Sequence, residues 1–233
     1  MKPTIHGKYL SVYKSIRKNI ILDALLSNYF RLLILVTGIS VLVAGCSKDS
    51  ELRRSVFVED SEAPGLPEYS EWGYNTFGVY YDRLVFRSND NDVPAKIEVD
   101  DTTFNLAFNG TLTENTYYNG YDAVNFQLRF VIKDYQPKDY KDLVDLNGTK
   151  FDLTSNKIKV VKIYNNTSDT LKIYEGELNF KRAQHLFVDG TSSETILSGY
   201  FDMKAKIGNS SVTLSEGRFD VGISGYNFFL DLK

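Results

Sequence analysis

Apolar and polar side chains alternate along the C-terminal part of this 233-residue chain. Residues 199–207 read Gly-Tyr-Phe-Asp-Met-Lys-Ala-Lys-Ile, so every second position is small or apolar and the positions between are mostly charged. Residues 219–223 and 228–232 repeat the alternation. Because successive side chains of a strand point to opposite faces, this pattern predicts strands with one buried face and one wet face. Such strands are typical of antiparallel sheets.

Turn signals divide the sequence from about Tyr69 onward into short segments rich in Val, Ile, Thr, Tyr and Phe. Five of these signals pair glycine with Asn or Asp: Asn109-Gly110, Asn119-Gly120, Asn147-Gly148, Asp189-Gly190 and Gly208-Asn209. The spacing predicts nine or ten strands and an all-β domain, as an antiparallel β-sandwich or, alternatively, a closed lipocalin-like β-barrel. Only residues 139–146 favour a short helix, which Asn147-Gly148 would end.

A glycine-containing pattern occurs three times near the C-terminus. Gly176, Gly199 and Gly217 are each followed by any residue, an apolar residue, Asp or Asn, and a second apolar residue. The pattern predicts three strands that enter the sheet alike, with glycine at a bulge or a point of close packing.

The N-terminal region has the features of an export signal. Residues 32–45 carry no charge, Arg31 and five other basic residues precede them, and Cys46 follows Val43-Ala44-Gly45. This arrangement resembles the lipobox signal peptide of bacterial lipoproteins. The resemblance implies cleavage before Cys46 and acylation of Cys46, so membrane lipid is a predicted partner. The stretch before the apolar run is long, which fits either an unusually long basic region or a start site assigned too early.

The remaining chain divides into two parts, a polar tether over residues 46–68 and a single β domain over 69–233. Residues 47–51, Ser-Lys-Asp-Ser-Glu, resemble the export signal of surface lipoproteins but fit an ordinary tether equally well. The lipobox, the Gly-containing strands and the stretch 66–78 together resemble uncharacterised β-rich lipoproteins of Bacteroidales-type gut bacteria. That resemblance implies a place in the outer membrane, periplasmic or surface-exposed, and no particular activity.

Charge and composition exclude several functions. Residues 1–45 hold six of the 27 basic residues and one of the 30 acidic ones, which leaves residues 46–233 near −8. This excess of acidic residues argues against nucleic acid as a partner. His185 is the one histidine after residue 45, so neither a triad nor a multi-histidine zinc site is expected. Glu216 and Asp220 are interpreted as a solvated face, and no enzyme activity, metal or cofactor is predicted.

Tyrosine is the residue type that suggests a function. Tyr117, Tyr118 and Tyr121 surround the Asn119-Gly120 turn and are the predicted ligand-binding residues, because exposed tyrosines beside Asn and Asp suit recognition of glycans or proteins. Trp72 is expected to pack the tether against the core. The predicted function is a membrane-anchored module that binds a glycan or a protein. The alternatives are a structural subunit of a surface assembly and, third, a carbohydrate-active enzyme.

Overall fold

The computed structural model describes residues 53–88, 93–113, 123–188 and 190–231, all within one compact unit, Leu52–Lys233. The described residues form twelve β-strands and one 3₁₀ helix, so the predicted all-β class is confirmed. The strands are β1 (Thr76–Tyr81), β2 (Leu84–Arg87), β3 (Ala95–Asp100), β4 (Thr103–Thr113), β5 (Val124–Lys133), β6 (Lys150–Asp152), β7 (Ile158–Tyr164), β8 (Thr167–Thr170), β9 (Lys172–Val188), β10 (Thr191–Ile207), β11 (Ser210–Ile223) and β12 (Phe228–Asp231).

The strands pair in the order β6-β9-β10-β11-β1-β2-β4-β5-β7-β8, and off this path β3 pairs with β4 and β12 pairs with β3. Rings from the two halves of this path meet in the core: Phe77 of β1 stacks on Phe108 of β4 at 4.5 Å, and Phe201 of β10 lies 5.2 Å from Phe130 of β5. The two end strands, β6 and β8, do not pair with each other among the described residues. The sheet is therefore sandwich-like and antiparallel, and the alternative of a closed barrel does not hold.

The last strand departs from the antiparallel rule, because β12 pairs with β3 in parallel. Asn227 fixes the turn that precedes it. The Asn227 side chain accepts from the amide of Ser224 at 2.8 Å and donates to the carbonyls of Gly222 and Ala95 at 3.0 and 3.2 Å. These bonds hold the turn between the end of β11 and the edge of β3, where β12 pairs in parallel.

The predicted alternation is confirmed in β10 and extends into a phenylalanine-rich core. Between residues 201 and 206 the odd positions are buried and the even positions are exposed. Eight phenylalanines are fully buried, and aromatic rings of this size dominate the energy of a core: Phe77, Phe86, Phe104, Phe108, Phe130, Phe180, Phe201 and Phe219. Residues 194–199 are buried at every position, so in this part of β10 the outer face is covered as well.

The repeated glycines lie where the chain packs most closely. A Cβ on Gly217 would come within 2.6 Å of the Phe201 ring, and one on Gly199 within 2.8 Å of Phe219. Beside Gly217, the β10–β11 register shifts at a bulge, where Glu216 adopts a φ of 54°. The predicted role of these glycines in close packing and bulge formation is confirmed.

The predicted short helix is also confirmed, as a 3₁₀ helix over Tyr140–Leu146. Asp139 caps its first turn, and Asp142 bonds back to the Asp139 amide to complete a capping box. Leu143 and Leu146 are buried against the core. No helix in the described ranges has the length and the hydropathy of a membrane span.

Residues 53–75, here called the N-terminal segment, lie along the outer face of the sheet. Leu66 and Ala63 are buried against Val85, the Tyr80 hydroxyl donates to Pro64 O at 2.9 Å, and Arg87 donates to Gly65 O at 3.0 Å. The sequence places residues 46–68 in a tether, whereas the structure packs residues 56–68 of that stretch onto the domain. The sequence suggests a tether because few apolar residues take part in this packing.

Candidate functional site

The loop from Ser70 to Tyr74 is held by a single buried carboxylate. Asp220 lies on the outer face of β11 and is 1% exposed. It accepts hydrogen bonds from the Trp72, Gly73 and Tyr74 amides at 3.1, 2.8 and 3.0 Å and from the Ser70 hydroxyl. Bonds to an ionised acceptor are about twice as strong as neutral ones, so this carboxylate fixes the backbone of the loop.

Glycine at position 73 is required by the same loop. Gly73 has a φ of 77°, a backbone conformation that is energetically unfavourable for a residue with a Cβ. An added Cβ would also meet the side chain of Ile196 at 3.2 Å. The turn at Gly73 therefore packs directly on β10, and the side chains on either side of it turn outward.

Those side chains form an exposed aromatic surface. Trp72 is 73% exposed and Tyr74 is 39% exposed, and Val56 and Val58 beside them are similarly accessible. A cavity of about 250 Å³ opens between these residues. We call its lining the Trp72 surface, and it comprises Val56, Val58, Glu68, Tyr69, Ser70, Trp72 and Tyr74.

One wall of the Trp72 surface is fixed from below by a stacked pair of tyrosines. The Tyr69 ring lies 4.2 Å from that of Tyr200, and its hydroxyl donates to Glu71 Oε1 at 3.0 Å. Arg182 binds Glu71 Oε2 at 2.8 Å, and this hydrogen bond lowers the pKa of Glu71. Burial raises the pKa of Tyr69, so its hydroxyl stays a neutral donor.

A buried arginine provides a second attachment for the N-terminal segment. Arg218, two residues before Asp220 on β11, is 8% exposed and forms an ion pair with Asp60. Its guanidinium also contacts Glu216 Oε2 at 3.1 Å. The pKa of Asp60 is lowered, first by the amide of Glu62 and then by Arg218. Arg218 and Asp220, successive residues on the outer face of β11, thus bind both halves of the N-terminal segment.

None of the site residues predicted from sequence belongs to the described part of the chain. Cys46, Tyr117, Tyr118 and Tyr121 lie outside the described residues, the three tyrosines in the connection between β4 and β5. Their predicted roles in lipidation and ligand binding therefore remain predictions.

Two other expectations are wrong. Trp72 does not anchor the segment, since its ring is largely exposed, and the anchoring comes from polar side chains beneath it. Asp220 does not belong to a solvated face, because the N-terminal segment covers it. His185 lies within β9 near its C-terminal end, and its Nδ1 is 3.3 Å from Thr195 Oγ1.

Comparison with protein-family models, curated proteins and solved structures finds no match to this chain. The described residues contain no group of three or more His, Cys, Asp or Glu side chains placed to hold a metal ion. The chemistry available at the Trp72 surface is therefore that of its own side chains. It offers flat aromatic area for stacking, a carboxylate at Glu68 and a hydroxyl at Ser70.

The sequence analysis did not predict this surface or its members Glu68, Ser70, Val56 and Val58. Two signals were available. Trp72 is the chain's one tryptophan, and it stands among polar residues directly before a glycine. A tryptophan in such a turn has no strand face on which to be buried.

Proposed function

We propose that the domain is a glycan-binding accessory module that contacts its ligand through the Trp72 surface, and that a lipid on Cys46 holds it at the outer membrane. The observation that carries the proposal is the fixed, exposed indole. Trp72 presents its ring to solvent while its own amide and its neighbours' amides are bound to a buried carboxylate. Exposed apolar area held this rigidly marks an interaction site.

The chemistry of the surface suits a sugar ring. One face of a pyranose is a plane of C–H groups, which packs on the electron-rich face of an aromatic ring. The hydroxyls at its edge need hydrogen-bond acceptors, which the Glu68 carboxylate and the Ser70 oxygen supply beside the indole. Tryptophan and tyrosine also provide large contact area at little cost in conformational entropy.

A membrane surface suits the same residues less well. Trp and Tyr are frequent at bilayer interfaces, but here a carboxylate lines the cavity beside them. Moving an ionised carboxylate into the acyl region costs several kcal/mol. A hydrated polyol, by contrast, satisfies the carboxylate with hydroxyl donors.

We propose that the Trp72 surface binds a glycan without catalysing its hydrolysis. Glycoside hydrolysis ordinarily uses two carboxyl groups on either side of the scissile bond. Glu68 is the one acidic residue in the lining of the Trp72 surface. The cavity, about 250 Å³, is smaller than the ~300–1,000 Å³ of enclosed small-molecule pockets, so a glycan would extend beyond it along the surface.

The test uses the single tryptophan as a reporter. The full-length protein, in a detergent without a sugar headgroup, is titrated with oligosaccharides selected on a glycan array while Trp72 emission is recorded. Saturable changes in emission are expected. Array binding should fall at least about tenfold in Trp72→Ala, the loss expected when a stacked aromatic worth ~1.5 kcal/mol or more is removed.

Phe187→Ala is the matched control, because Phe187 is 61% exposed on β9 and is not part of the Trp72 surface. Its binding should equal that of the wild type. A blue shift of Trp72 emission with phosphatidylcholine vesicles, together with no response to any glycan, would contradict the proposal and indicate membrane contact.

A second candidate function is that of a structural subunit, and β12 favours it. Among the described strands β12 pairs only with β3, and it exposes 43% of Phe229 and 44% of Leu230. An edge of this kind is suited to adding a strand from another chain. An assembly of defined stoichiometry that retains its composition in Trp72→Ala would support this function over the first.

A further inference from the structure

The formal charge in the lining of the Trp72 surface is negative. Glu68 is the only charged residue in its lining, and no described Lys or Arg lines the cavity. Glu68 is exposed, and its position is fixed because its amide donates to Val58 O at 2.6 Å. The neighbouring bridge between Glu59 and Pro67 reinforces this pairing. The backbone that carries this carboxylate is therefore fixed at the cavity wall.

Three other acidic residues near the surface are paired or covered. Glu71 is paired with Arg182 and Asp60 with Arg218, so these pairs leave little net charge at the cavity. Asp220 is covered by the loop, and the neutral amides that bind it do not cancel its charge. Glu68 is therefore the acidic side chain that a ligand meets directly in the lining, and Asp220 adds a field of the same sign from below.

We infer that the Trp72 surface binds neutral glycans in preference to those that carry carboxylate or sulfate groups, with Glu68 as the residue that sets this preference. The inference rests on the proposed function. A neutral sugar donates its hydroxyls to the carboxylate, whereas an anionic group near it is repelled with no basic residue in the lining to pair with it. At about 5 Å in water, this repulsion amounts to roughly a threefold to fourfold loss of affinity.

The experiment compares matched glycan pairs on one array with the full-length protein. The pairs are methyl-esterified polygalacturonate with polygalacturonate, and chitin oligomers with their 6-O-sulfated forms. The readout is the ratio of anionic to neutral binding within each protein, so a general change in affinity cancels. The proteins are the wild type, Glu68→Gln, Glu68→Lys and the control Glu62→Gln, which removes an exposed acid of the same segment outside the cavity lining.

The ratio is expected to lie below one in the wild type and in Glu62→Gln. It should rise about threefold in Glu68→Gln and about tenfold in Glu68→Lys, and the differences should shrink in 0.5 M salt, where charges are screened within ~5 Å. If the wild type binds neutral glycans but its ratio of anionic to neutral binding is one or higher, the inference is overturned and the proposed function stands. Binding to neither member of any pair overturns both.

Discussion

At the scale of single residues, Glu194 is the described carboxyl group whose pKa the fold clearly raises. It is 5% exposed on the outer face of β10, directly over Gly222, where any Cβ would collide with its carboxylate. Burial raises the pKa of Glu194 from its ordinary value of 4.5 to about 7. The folded protein therefore favours the protonated carboxyl, which can be buried without a charge.

The sign of the pH dependence follows from this shift. The stabilisation is fully present below pH 4.5, where the unfolded chain is protonated too, and it is lost as the pH rises through 7. Wild-type stability should fall by about 2–3 kcal/mol between pH 5 and pH 8 from this group alone. Glu194→Gln should lack that fall, as measured by urea unfolding at both pH values. Asp202→Asn, at an exposed position of the same strand, should keep it.

At the scale of elements, the attachment of the loop 70–74 to β11 can be tested through Asp220. Asp220→Asn retains the shape of the side chain but removes its charge and replaces one acceptor by a donor that faces backbone amides. Charge-assisted bonds contribute about 1.5–3 kcal/mol each, so the loop should open at least ~30-fold more often. Hydrogen exchange at the Trp72 and Tyr74 amides should accelerate accordingly, while exchange in β4 and β5 stays unchanged.

Ser70→Ala gives a graded comparison, because it removes one of the four donors to Asp220 and leaves the three amides bound. A smaller acceleration is expected there. Equal exchange at these amides in the wild type and in Asp220→Asn would show that packing at Gly73, rather than the carboxylate, holds the loop.

The elements differ in how far sequence predicts them. The β10 alternation, the capped helix and the glycine positions are encoded by local patterns, and each is confirmed. The docking of the N-terminal segment depends on contacts such as Arg218 with Asp60, which are 158 residues apart. Isolated polar pairs of this kind produce no periodic pattern in the sequence. The acidic, proline-containing segment therefore has the composition of a tether although it packs on the domain.

The candidate site was missed for the same reason. Trp72 looks like a residue that would be buried, because tryptophan usually is, and only the network around Asp220 turns it outward. Likewise, the parallel pairing of β12 depends on the hydrogen bonds of Asn227 rather than on the alternation in β12 itself. Local sequence thus predicts strands and turns, while long-range polar contacts determine which surface is exposed.

At the scale of the whole molecule, different residues have the two proposed roles: Cys46 holds the protein at the membrane, and the Trp72 surface binds the glycan. A lipid on Cys46 would hold many copies of the domain on one membrane, and such display strengthens retention of a polymeric glycan without changing any single contact.

The two roles can therefore be separated by two substitutions. Cys46→Ser should abolish incorporation of labelled palmitate and leave the protein uncleaved or soluble, because the thiol that takes the lipid is gone. Its affinity for a short oligosaccharide should stay within about twofold of the wild type, while cells should lose retention of the long polysaccharide. Trp72→Ala should remain in the membrane fraction and lose binding to both ligands. Membrane-bound, lipid-labelled protein from Cys46→Ser would refute the anchor, whatever the domain binds.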